Sequence, residues 1–255
     1  MANVTENMTA DTTLIVDDVR ATYTVRSQRG GGTVESIRAR AIGSKRTHDA
    51  LKGVSFTAYR GESIAIVGRN GAGKSTLLRI IAGLQKPTSG HVWAVERPSL
   101  LGVDAAFMNQ LSGSRNITLG CLSMGMSPEQ AANARSSIID FSGIGEFIHN
   151  PISTYSSGMR ARLRFAISTA ATPAILLVDE ALSTGDALFK EKSEERINSL
   201  LGNAGTVLFV SHSMAAVQQY CTRGIWLHEG TVRMDGPIAA VSDEYRSWVF
   251  AQKKK

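Results

Sequence analysis

The sequence predicts an α/β fold built on a buried sheet that carries a phosphate-binding loop at its carboxyl edge. Three observations lead there. The nine residues Gly68 to Thr76 read GRNGAGKST and directly follow the apolar run Ser63 to Val67 (SIAIV). The stretch Thr76 to Ala82 (TLLRIIA) is helix-compatible, so strand, glycine-rich turn and helix stand in the order that the pattern G-x-x-x-x-G-K-[ST] requires. Two further apolar runs, Ala174 to Val178 and Thr206 to Val210, read as buried strands and end in Asp179-Glu180 and Ser211-His212-Ser213.

The residue types in the loop specify its chemistry. Gly68, Gly71 and Gly73 accept backbone angles that side chains resist, so the amides of Arg69, Asn70, Ala72 and their neighbours can turn inward around phosphate oxygens. The positive end of the following helix points at the same anions. Lys74 is expected to place its ammonium on the β- and γ-phosphates, and the Ser75 hydroxyl to supply an oxygen to a magnesium ion, with Thr76 closing the cradle. Asp179, at a strand's carboxyl end, can hold that magnesium through its shell. Glu180 is placed to orient and deprotonate the water attacking the γ-phosphate, and His212 to donate to the γ-phosphate.

Bulk composition sets the frame. The 255 residues are 43% hydrophobic and 20% charged, enough for one self-sufficient domain with a subdomain. Cys121 and Cys221 lie far apart without metal-type spacing, which predicts free buried thiols in a reducing compartment. No apolar stretch approaches the roughly 20 residues that cross a bilayer, and the N-terminus lacks the regions of a signal peptide; a cytosolic protein, held at a membrane only by a partner, is expected. The net charge of +6 is concentrated: residues 26–47 carry six basic side chains against Glu35, and Lys253 to Lys255 add three more. A local electrostatic contact fits that distribution better than a nucleic-acid face.

In chain order, Thr13 to Val25 alternates loosely and opens a small antiparallel sheet. Within the basic insertion, Val34, Ile37, Ala41 and Ile42 share a helical face while Arg38 and Arg40 lie off it; a surface loop and an amphipathic helix on anionic lipid or a membrane partner both remain open. Leu51 to Tyr59 reads as a strand, and Tyr23 and His48 are the candidates for stacking on adenine. Gly83 reads as a helix C-cap, and Pro87 to Gly90 as a hairpin turn before His91 to Trp93. From about Leu100 to Asn150 the pattern turns helical, with a capping start at Ser127 to Gln130. Met108, Met124 and Met126 read there either as core fillers or as a docking surface. Tyr155 to Met159 (YSSGM) precedes a helix carrying Arg160, Arg162 and Arg164, and Phe189 to Leu201 reads as a solvated helix. Ile225 to Met234 forms a closing hairpin, and a helix follows Pro237 to about Phe250.

These elements, in this order, resemble the nucleotide-binding subunit of ATP-binding cassette transporters over nearly the whole chain. The resemblance implies an α/β P-loop NTPase with a RecA-like core sheet, an antiparallel β-subdomain and a helical subdomain. GRNGAGKST looks like the family's Walker A, Ile175 to Glu180 its Walker B with the catalytic glutamate, Ser183 to Asp186 its D-loop and His212 its switch histidine. Tyr155 to Met159 corresponds to the signature motif, departing from LSGGQ at Ser157 and Met159. With Leu111 to Ile117 (LSGSRNI) and Pro151 to Tyr155, that departure is similar to the branch exporting polysaccharides and polyol phosphates such as O-antigen, galactan and teichoic acid precursors. In that register the Q-loop position falls on Val103 and not on Gln110.

The resemblance further implies one cassette domain over residues 1–255. Strands and phosphate loop occupy 13–99, a basic insertion 26–47, a helical subdomain 100–158, the remaining core 159–236, and a helix and tail 237–255. ATP with Mg2+ would lie between one copy's loop and the Ser156 to Gly158 turn of a second copy in a head-to-tail homodimer. The partner would be an integral-membrane permease receiving a lipid-linked glycan at the cytoplasmic face of the bacterial plasma membrane, with Arg38 and Arg40 near the membrane surface. Because the chain stops at Lys255, recognition of a glycan end by an appended domain is not expected. A soluble cassette ATPase of translation or DNA maintenance is the alternative, though the chain has no room for a second cassette. A guanine-nucleotide switch lacks its N-K-x-D motif here.

Overall fold

The computed structural model describes residues 9–26, 45–101, 107–179, 187–210 and 213–253. Along the chain run β1 (Thr12–Arg26), β2 (Lys45–Tyr59), β3 (Ser63–Val67), α1 (Lys74–Ile81), β4 (Ser89–Ala94) and β5 (Ser99–Leu100). The middle of the chain supplies α2 (Gly113–Ser123), α3 (Pro128–Ser142), two 3-10 turns (Gly145–His149 and Ile152–Thr154), α4 (Ser157–Ser168) and β6 (Ile175–Asp179). The last third holds α5 (Ala187–Asn203), β7 (Thr206–Val210), α6 (Met214–Tyr220), β8 (Arg223–His228), β9 (Thr231–Pro237) and α7 (Ile238–Lys253).

The strands form two sheets. One has the order β5-β6-β7-β3-β8-β9, parallel except for the antiparallel β8–β9 hairpin; the other is antiparallel, in the order β2-β1-β4. Strand alternation explains why the first sheet is covered on both faces. Ile64, Ile66, Leu177, Leu208 and Ile225 point into a core shared with the antiparallel sheet and α1. Ala65, Val67, Leu176, Phe209 and Trp226 point the other way, into a core closed by α5, α6 and α7. Each fully buried Ile or Leu contributes about 1.5–3 kcal/mol.

Residues Pro87 to Gly90 do not make the hairpin turn that the sequence suggests. β4 already begins at Ser89 and pairs antiparallel with β1, while Gly90 passes against the backbone of Asp17 and Asp18 at a break in the β1 register. A Pro-Thr-Ser-Gly run carries turn chemistry, yet the partner of the strand beyond it is set by packing at long range.

The helical layer buries Ile117, Ile138, Ile148, Ile152, Leu163 and Ile167 together, so it continues through α4. Phe141 of α3, Phe165 of α4 and Phe189 of α5 meet with ring centroids 5.6–5.9 Å apart, tying this layer to the core. α3 starts with the expected capping box between Ser127 and Gln130 and ends on Gly143. Asn116, within the LSGSRNI segment, is 2% exposed and knots the entrance to α2. Its Oδ1 accepts from the Met108 N–H (2.8 Å), and its amide donates to the carbonyls of Met108, Leu111 and Ser112 at 3.0–3.1 Å. Asn116→Ala is expected to lower stability by about 2–3 kcal/mol, since it strands several of these groups; the shift of a urea midpoint checks this.

Met124 and Met126 pack against the helical core as fillers, whereas Met108 is 54% exposed. Both cysteines are buried and free, as expected. Burial pushes the Cys221 thiol up to about 12 and raises that of Cys121, which keeps both in the unreactive thiol form. No helix among the described residues is long and apolar enough to cross a membrane.

Candidate functional site

The parallel strands β6, β7 and β3 deliver their carboxyl ends to one edge of the sheet. Asp179 pairs with Val210 across β6–β7, and Ile66 pairs with Val210 across β3–β7. Asp179 therefore stands two strands, about 10 Å, from the strand that enters the phosphate loop. At this edge lies a cavity of about 380 Å³, lined by Asn70, Gly71, Gly73, Lys74, Ser75 and Thr76 of the loop and by Tyr23, His48, Ala50, Asp179 and Val210.

Close packing dictates the loop's shape. Gly73 has φ 103°, and a Cβ there would lie 2.5 Å from the Ala50 carbonyl and 2.7 Å from Leu51 Cδ2, so no other residue fits. As N-cap of α1 it has no side chain to accept from the first turn. The amides of Ser75 and Thr76, without intrahelical acceptors, remain directed at an incoming anion. Lys74 is 6% exposed, and its ammonium donates to the carbonyls of Gly68 (2.7 Å) and Arg69 (3.1 Å). The fixed charge is thereby held within the turn of the loop.

Ser75 and Asp179 offer two hard oxygens to one cavity. Among the described residues no group of three or more His, Cys, Asp or Glu could hold a metal by itself. Two oxygen donors facing a phosphate cradle suit magnesium, which keeps most of its waters and takes phosphate oxygens as further ligands. The site residues fit that ion and not a dedicated protein cage.

The two adenine candidates are neighbours. Tyr23 and His48 pair across β1–β2 and both line the cavity. The Tyr23 hydroxyl donates to Gln85 Oε1 (3.0 Å) and lies 3.3 Å from Thr76 Oγ1, which fixes the ring beside the loop. Gln85 and Val210 carry no motif that would have marked them in the sequence.

Ser156 is exposed and caps α4, its Oγ accepting from the Met159 N–H at 3.1 Å. Neither it nor Gly158 lines the cavity, so one chain does not bring this turn to its own phosphate loop. Glu180, the Ser183 to Asp186 segment, Val103 and His212 lie outside the described residues, as does most of the basic insertion with Arg38 and Arg40. Their anchors are described: Asp179 ends β6 immediately before Glu180, and β7 ends at Val210, two residues before His212.

Comparison with known proteins agrees with this geometry. Residues 51–183 match the family model for ABC transporters. The chain is 43% identical over 200 residues to the teichoic acids export ATP-binding protein TagH of Listeria monocytogenes serotype 4b, covering 78% of this chain and 60% of that protein. It is 40% identical over 210 residues to the protein of the same name from Staphylococcus saprophyticus, covering 82% and 80%. The relative from Bacillus anthracis is 42% identical over 198 residues, and this chain spans only 36% of its length. Among solved structures, an ATP-binding subunit of an ABC transporter superposes with a TM-score of 0.70 at 20% identity, covering 95% of this chain and all of that one. A dimeric ATP-binding cassette in a post-hydrolysis state with ADP and phosphate gives 0.64 at 22% identity, covering 88% and 98%.

Proposed function

The chain belongs to the ABC transporter family, and on that premise we propose that it is the ATP-hydrolysing subunit powering export of a lipid-linked cell-envelope polysaccharide or polyol phosphate through a separate membrane permease. The observation that carries the ATPase reading is the cavity in which the phosphate loop, Ser75 and Asp179 converge. The export reading draws on the TagH relatives and on the resemblance of YSSGM to the signature of the exporter branch.

ATP binds with its triphosphate in the nest from Gly68 to Thr76, Lys74 holding the β- and γ-phosphates and Tyr23 or His48 flanking the base. Ser75 and Asp179 would hold magnesium, which would neutralise charge developing on the phosphate oxygens. Glu180 orients and deprotonates the attacking water, and His212 donates to the γ-phosphate. Ser156 and Gly158 of a second copy close the site, which accounts for their distance from the cavity of their own chain. ATP thereby draws two copies together and hydrolysis releases them. The exposed side chains Met108, Leu119 and Leu122 of the helical layer give the permease an apolar surface to follow. The protein then sits peripherally on the cytoplasmic face of the membrane, its basic insertion near the lipid surface.

Co-expression of the tagged chain with the membrane protein encoded beside it tests this. Co-purification in detergent, with ATP turnover altered by the complex, is the expected result. Recovery with ribosomes or DNA in place of a membrane protein would overturn the export reading.

A further inference from the structure

The phosphate loop is braced from behind by the tip of the β8–β9 hairpin. The Gly230 N–H donates to the Ala72 carbonyl (3.2 Å), and the Gly230 carbonyl accepts from the Lys52 N–H (2.8 Å). A Cβ at Gly68 would strike the Leu227 carbonyl, and one at Gly230 would come 2.8 Å from the Ala50 carbonyl. With so little slack, the position of residues 227–230 fixes the first half of the loop. That half includes the Gly68 and Arg69 carbonyls that hold the Lys74 ammonium.

The hairpin tip is in turn locked to the C-terminal helix α7 by an aromatic cluster. Trp248 stands edge-on to His228, with centroids 4.9 Å apart at 72°, and to Trp226 at 5.4 Å and 61°. Tyr245 meets Trp226 at 5.5 Å, and the Arg233 guanidinium lies 4.3 Å over the Trp226 ring and 5.6 Å from that of Trp248. Between α7 and the outer side of the loop lies a hollow of about 320 Å³, lined by Arg69, Asn70, His228, Glu229, Trp248 and Gln252 among others. Across that hollow Trp248 reaches the loop through the hairpin tip, and it does not line the nucleotide cavity.

We propose that Trp248 is a positioning residue for nucleotide, setting the phosphate loop through His228 and the Leu227 to Gly230 tip, so that α7 and the ATP site are coupled. The proposal rests on reading the larger cavity as the ATP site. Coupling of this kind is reciprocal: whatever loosens α7 weakens ATP, and ATP tightens α7 to the same extent.

The test is equilibrium binding of ATP to the full chain at a temperature where circular dichroism shows each variant folded, with hydrogen exchange read in parallel. Trp248→Ala is expected to weaken ATP about 5–30-fold, a coupling of ordinary size, and Trp248→Phe to restore most of it. Phe250→Ala, a change at a 65% exposed position of the same helix, should bind as the unmodified chain does. Mg-ATP should slow amide exchange across residues 238–253, and should not do so in Trp248→Ala. If that variant fails to fold, His228→Ala removes the same edge contact from a half-buried site and should weaken ATP likewise. Unchanged affinity in a folded variant, or exchange in α7 that ignores nucleotide, would overturn the coupling. Failure of the unmodified chain to bind ATP would instead sink the nucleotide reading beneath it.

Discussion

Glu180→Gln is expected to cut ATP hydrolysis by about 10²–10⁴-fold, equivalent to roughly 3–5 kcal/mol of barrier, while leaving ATP binding intact. The amide keeps the size and much of the hydrogen bonding of the carboxylate and loses its ability to take a proton from water. The effect therefore falls on kcat and not on affinity. Asp179 supports the assignment, since it lines the cavity and ends β6 one residue before Glu180 in the chain. In the proposed cycle hydrolysis separates the two copies, so the variant should accumulate as an ATP-held dimer in light scattering. Phosphate release at the rate of the unmodified chain would refute the role of Glu180.

The second large effect belongs to Lys74. Its ammonium is buried between two loop carbonyls, so Lys74→Ala removes both a charge for the phosphates and the cation that organises Gly68 and Arg69. A charge-assisted hydrogen bond contributes about 1.5–3 kcal/mol, which predicts ATP binding weakened about 10–10²-fold. Hydrolysis should fall further, because the same charge stabilises the transferring phosphoryl group. Lys74→Arg should not restore function. The planar guanidinium cannot occupy a cradle shaped for a compact ammonium, although it preserves the charge. Titration of a fluorescent ATP analogue against the three proteins separates charge from shape; full rescue by arginine would show that the carbonyl cradle is incidental.

Lys74 lines the cavity, as does Asp179, the residue before Glu180 in the chain, and only the folded chain brings these two stretches together. Substitutions within the loop should shift affinity and turnover jointly, whereas Glu180→Gln shifts turnover alone. The Trp248 variants lie on a third line: they should shift ATP affinity from a position that does not line the cavity.

Much of the fold was legible because its elements carry local signals. β3 spans Ser63–Val67 as its apolar run implied, the Ser127 capping box starts α3, and the buried runs before Asp179 and His212 became β6 and β7. The loop's position was legible for the same reason, as its glycines, lysine and serine are contiguous, and Gly71, Gly73, Lys74 and Ser75 line one cavity. The pairing of β4 with β1 was not, because turn residues announce a change of direction without naming the next partner.

The sequence by itself determined that a phosphate cradle stands at the edge of a parallel sheet, since strand period, glycine placement and helix start are all written within a few dozen residues. Tertiary structure decided which distant groups brace it: Tyr23 tied to Gln85, and the Gly230 tip held between Ala72 and Lys52 next to the contact of Trp248 with His228. Such contacts join residues far apart in the chain through shape and leftover hydrogen-bonding capacity. No local periodicity records either of these, so they exist only once the sheets have closed.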